Sequence, residues 1–125
     1  MKEKEADQGG IRLEGVQIAP GVAETVISLA AAEVEGVAGV GTAGTLSAIM
    51  SAFNAGKAVP TNGIKLTMGD DGTVAVEISI QAYYGYRLVE VAAGVRKAVA
   101  DALAGQVGVE VSSVDVYVDG LAFEE

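Results

Sequence analysis

The chain has 125 residues, half of them hydrophobic, with 17 acidic and 8 basic side chains, a formal net charge of -9, and neither cysteine nor histidine. That composition excludes disulfides, thiolate- or imidazole-ligated zinc and every Ser-His or Cys-His catalytic arrangement. The acidic balance opposes long-range attraction to nucleic acid or anionic lipid, and the length is that of one domain able to bury a core without staples.

Residues 1–10 carry Lys2, Glu3, Lys4, Glu5 and Asp7 without the apolar centre of a signal peptide, and are expected to be a disordered leader to a single domain over 11–123. Ile11-Arg12-Leu13-Glu14 alternates as a short strand, expected to run unevenly to Ile18 with a bulge at Gly15. Pro20 suits the start of a helix whose inward stripe reads Val22, Val26, Leu29, Ala30 and Val34, stopped by Gly36. Val37 to Asn62 is the least regular part, with a variable Gly/Ala-rich segment over 41–62. Inside it, Thr45 is a plausible helix cap, and Leu46, Ile49, Met50 and Phe53 follow at i, i+3, i+4 and i+7 on one face.

A hairpin comes next. Ile64, Leu66 and Met68 alternate with polar residues, Asp70-Asp71-Gly72 makes the turn, and Val74, Val76, Ile78, Ile80 and Ala82 alternate again. A helix is expected from about Arg87 to Ala104, with Leu88, Val91, Ala92, Val95, Val99, Ala102 and Leu103 inward and Lys97 and Asp101 paired outward. The last strand reads Val109 to Val118, with a bulge at Ser112-Ser113. The order β-α-β-β-α-β predicts an α+β two-layer sandwich. Two main helices cover one face of a small, mostly antiparallel sheet, with a mobile helical insertion before the hairpin.

Few motifs carry chemistry. Gly39-Val40-Gly41-Thr42-Ala43-Gly44 matches the dinucleotide-binding fingerprint in letters, but no acid follows between Glu35 and Asp70, and a Gly-rich connector explains it. Asp70-Asp71-Gly72 lacks the further oxygens of a calcium loop, and the acids Asp115, Asp119, Glu124 and Glu125 read as solvating. The uncharged run Gly36 to Gly56 has the length of a membrane span but is too polar and Gly-broken to insert. No catalytic, cofactor-binding or metal-binding residues are expected.

Two surface candidates remain. Leu46, Ile49, Met50 and Phe53, with Lys57 nearby, suit a partner groove or a membrane surface; the same face equally suits folding back on the sheet or closing a dimer. Tyr83, Tyr84, Tyr86 and Arg87 form a second possible patch, or else a strand-to-helix corner with one ring packed inward.

Three stretches together resemble the alkaline shock protein 23 family of envelope-stress proteins, over roughly Ile11 to Phe123. They are Ile18-Ala19-Pro20-Gly21-Val22 with Ala31 through Val40; Gly63-Ile64-Lys65-Leu66 with Val74 through Ile78 and Tyr84-Gly85; and Val89-Glu90-Val91-Ala92 with Gly108 through Val111 and Val114 through Gly120. The resemblance implies a non-enzymatic bacterial protein of alkaline and envelope stress, cytoplasmic and held at the membrane by a small membrane-anchored partner; action through self-association and protein contacts is the leading expectation. It supplies no catalytic residues. One departure is Asn54-Ala55-Gly56-Lys57, where members of the family tend to be rich in Lys and Arg. The alternatives are a nucleic-acid-binding module, which the acidic balance opposes, and an enzyme built on carboxylates such as Glu77 or Asp115.

Overall fold

The computed structural model describes residues 11–13, 15–18, 21–41, 45–57 and 63–124. The expected leader, Pro20, the Pro60–Asn62 stretch and the side chain of Phe53 lie outside the described residues. The elements are β1 (Ile11–Leu13), β2 (Val16–Ile18), α1 (Val22–Ala32), β3 (Val37–Val40), α2 (Leu46–Asn54), β4 (Ile64–Met68), β5 (Val74–Tyr83), α3 (Leu88–Ala102) and β6 (Val111–Ala122). A π-helical turn, Leu103–Val107, continues α3 to Gly108, whose φ of 93° ends it. The architecture is the expected α+β two-layer fold, with six strands where the sequence reading has four: the first is split in two, and one strand is new.

The start differs because Gly15 is a turn and not a bulge. Its φ of 84° reverses the chain, and β1 and β2 pair antiparallel as a small separate hairpin, Leu13 opposite Val16. The additional strand is β3. Val37-Ala38-Gly39-Val40 is buried along its whole length, so it shows no alternation that would mark it in sequence. It also places Gly39 inside a strand paired with Gln81, unlike the strand-to-helix turn a nucleotide fingerprint occupies.

The main sheet is built on β5. Its ten residues alternate strictly, with Val74, Val76, Ile78, Ile80 and Ala82 all buried. β6 runs parallel along the full length of β5, so the sheet is mixed. β4 and β3 therefore share the opposite side, antiparallel and end to end: β4 pairs with Val74–Ile78 and β3 with Ile80–Ala82. They meet at Ser79, which donates its N–H to the Gly63 carbonyl at 2.9 Å and accepts from the Gly41 N–H at 2.9 Å. Backbones approach so closely there that a Cβ on Gly63 would stand 3.0 Å from the Gly41 Cα.

Helices α1 and α3 pack against each other and on one face of the sheet. The stripe on α3 is as read, through Val91, Val95, Val99 and Leu103, except that Leu88 is 41% exposed. On α1 the stripe is broader than read and turned: Val26, Leu29 and, just past the helix, Val34 pack partly buried against the core as expected, Val22 is exposed, and Ala23, Ile27, Ser28, Ala31 and Ala32 are fully inward. Small residues let this helix sit close to its neighbours, so Ala23, Ala31 and Ala32 are buried beside the aliphatic positions. The joint after α1 is tighter still. Gly36 has φ 95°, accepts from the Tyr83 N–H at 2.9 Å, and has Val91 and Tyr86 where a Cβ would go. The hairpin tip is closed by Asp71, whose Oδ1 accepts from the Thr73 hydroxyl at 2.7 Å and its N–H at 3.1 Å.

Candidate interaction surfaces

The first sequence candidate is α2. Thr45 caps it as expected, its hydroxyl accepting from the Ala48 N–H at 3.2 Å. Ile49 points into the core at 1% exposure and Leu46 packs half-buried against it, so this face folds back on the domain. Met50 at 43% and the exposed Lys57 are what α2 and its following turn present outward.

The second candidate is the corner after β5. Tyr83 and Tyr86 are partly buried with ring centroids 6.4 Å apart, and Tyr86 packs against the core. Tyr84 is 66% exposed and meets Phe123 at 5.5 Å between ring centroids. Arg87 is exposed and lies 3.5 Å from Glu90. The Tyr86 hydroxyl is pushed above the ordinary tyrosine range, chiefly by the charge of Glu124, with smaller effects from burial, Glu35 and Tyr83. The corner is therefore both aromatic and acidic.

The corner extends beyond the four residues named from sequence. Val89 at 78%, Leu121 at 58% and Phe123 at 79% are exposed, and all lie where β5 and β6 end and α3 begins. For Leu121 the cause is a bulge in β6. Ser79 pairs with Tyr117 and Ile80 with Val118, but Gln81 pairs with Gly120 and Ala82 with Leu121, so Asp119 is the extra residue. Past it, Leu121 shares a row with buried Ala82 and yet stays exposed. Asp119-Gly120, an unusual pair inside a strand, was the available sequence signal.

Away from the helices, β4, β5 and β6 show a polar surface. Lys65, Glu77 and Asp115 form one cross-strand row, Ser79 and Tyr117 the next, and Gln81 Nε2 donates to Asp119 Oδ1 at 2.9 Å. A shallow open depression of about 220 Å³ lies over Lys65, Glu77, Ser79 and Tyr117. The sheet register sets Glu77 and Asp115 in one row, but Asp115 does not line this depression, and the depression is open, unlike the closed cavities in which acid-base pairs catalyse. The hydroxyl of buried Ser28 and Glu24 Oε1, one turn apart on α1, have no hydrogen-bond partner among the described residues. No helix among the described residues is long and apolar enough to cross a membrane, and no cluster of acids among them could hold a metal ion.

The described residues thus form a two-layer α+β domain with an exposed aromatic corner and a polar open sheet face. Residues 9–123 match the family model described as having a cell envelope-related function, and the chain belongs to that alkaline shock protein 23 family. Among curated proteins, it is 26% identical over 118 residues to the uncharacterized protein YqhY of Bacillus subtilis (strain 168), covering 94% of this chain and 84% of the relative. It is 28% identical over 110 residues to the uncharacterized protein Spy1535 of Streptococcus pyogenes serotype M6, covering 88% and 81%. No solved structure matches. Neither the family description nor the relatives' names carry a catalytic activity.

Proposed function

We propose that this protein is a non-enzymatic scaffold of the bacterial envelope stress response, cytoplasmic, acting through self-association and through a protein partner that is itself anchored in the membrane. One observation carries the reading. Tyr84, Leu121 and Phe123 are large, apolar and exposed at the end of β5 and β6, with the Tyr84 and Phe123 rings in contact, in a chain whose net charge is otherwise high. Contiguous apolar surface on a soluble domain marks contact with another molecule. Met50 and Lys57 on and after α2 are the second element of the proposed surface. The envelope-related family supports the setting.

The test replaces Leu121 and Phe123 by serine, together and singly, and follows sedimentation velocity over a range of protein concentrations. Because both side chains already face water, the fold is expected to persist, and circular dichroism checks this. Assembly of the wild type and dissociation of the double variant are the expected results, along with loss of membrane-fraction retention in the native host. A wild type that stays monomeric and leaves the membrane fraction unchanged would sink the proposal. Tight RNA binding with a steep salt dependence would replace it with the nucleic-acid reading.

A further inference from the structure

We infer that the free edge of β6 accepts an extended, basic segment of a partner protein as an added strand. The inference rests on the reading of this chain as a protein-contact scaffold and names the chemistry of what it contacts. Among the described residues, β6 has one sheet neighbour, β5. Its other side presents a row of backbone N–H and C=O groups of the kind that peptides add to. The bulges at Ser112 and Asp119 frame a straight, regular run, Ser113 to Val118, which pairs without interruption to Ala75–Ile80. That run contains neither lysine nor proline, the residues that most often guard an edge.

Charge decides the occupant. In the row Lys65–Glu77–Asp115, the two acids stand side by side on β5 and β6, with a single cation beyond Glu77. Like charges directly opposite each other on neighbouring strands are unfavourable. The next position in that row, beyond Asp115, belongs to the strand that would be added, and Lys or Arg there completes the row with a cation at each end. Exposed Tyr117 lies one row along on the same face, where an aromatic ring suits a cation at the following position. The opposite face of the run carries Val114, Val116 and Val118, of which the last two are only partly buried. The matching segment therefore alternates basic residues with β-branched apolar ones. A second copy of β6 fits poorly, since it would bring another Asp115 and Asp119 to an edge already acidic.

The probe is a short, terminally blocked peptide alternating valine and lysine, titrated into the isotope-labelled full-length chain and followed by amide shifts and amide exchange. Its controls are a glutamate-for-lysine version and an alternately N-methylated version that cannot form ladder hydrogen bonds. Slowed exchange confined to 113–119 is expected. Binding should weaken with salt, fall about tenfold or more in the Asp115→Lys variant and be lost on N-methylation. The glutamate peptide should gain affinity for Asp115→Lys. Asp115 is exposed, so this variant keeps its fold. The inference is overturned by no binding, by insensitivity to N-methylation, by shifts centred on Tyr84 and Phe123, or by β6 pairing with a second copy of itself. Sedimentation of the same samples separates the two readings: no peptide binding with self-association intact overturns the edge assignment alone, whereas a monomer that binds no peptide overturns both.

Discussion

Replacing Gly36 by alanine isolates the joint between α1 and β3. Two costs combine. A backbone φ of 95° is one that a Cβ disfavours by about 1–2 kcal/mol. The new Cβ would also stand 2.7 Å from Val91 Cγ2 and 3.0 Å from Tyr86 Cδ2. Val91 is 3% exposed and Tyr86 packs on the core, so neither side chain can simply swing into water. Overpacking of this kind costs about 1–3 kcal/mol. The sum is about 2–5 kcal/mol. Gly85→Ala is the control: its φ is 103°, but nothing lies within 4 Å of the added Cβ, so it carries the strain alone. At roughly 4 °C per kcal/mol for a domain of this size, Gly36→Ala should melt about 8–20 °C below wild type and Gly85→Ala about 4–8 °C below. Thermal and urea unfolding followed by circular dichroism measure both, with an unchanged urea slope confirming that folding remains two-state. Equal losses in the two variants would refute the steric part of the reasoning, and a Gly36→Ala protein as stable as wild type would refute all of it.

Other expectations follow from the same packing. Ile49→Ala should destabilise the domain by about 2–5 kcal/mol, because the side chain is buried at 1% exposure, whereas Met50→Ala should cost less than about 0.5 kcal/mol; denaturant titration of the pair shows which face of α2 belongs to the core. Asp71 is held below the ordinary carboxylate value of 3.8, mainly by the Thr73 hydroxyl and next by its N–H. Its contribution to stability is therefore present above that ordinary value and lost as pH falls through the lowered folded one, and Thr73→Val should raise the Asp71 midpoint seen by carboxyl NMR. Glu124→Gln should lower the Tyr86 ionisation midpoint in an ultraviolet titration, since that charge is the largest cause of its rise.

What could be read from the sequence was whatever repeats over short distances. The alternation in Ile64–Met68 and Val74–Ala82, the stripe from Val91 to Leu103, the Thr45 cap and the bulge at Ser112 all follow from local spacing. β3 did not, because four residues buried on every side show no period. The rotation of α1 followed from which neighbours it meets, and Ala23, Ala31 and Ala32 gain importance only once α3 is beside them. The fate of α2 was undecidable for the same reason: an apolar face at helical spacing looks alike whether it meets its own domain or another. The exposed corner was only half visible. Its tyrosines could be named, but Leu121 and Phe123 join them through a change of register at Asp119 that depends on pairing with β5.

The meeting of β3 and β4 at Ser79 has a consequence for how this fold can change. Since Gly41 and Gly63 arrive at the same residue of β5, the chain leaves the sheet and returns to it at nearly one point. The excursion that carries α2 is thus decoupled from strand alignment. Its outward side, with Met50 and the turn to Lys57, can change while Val74–Tyr83 keeps both neighbours on that side and Ile49 still fills the core, so two relatives could differ there in what they greet.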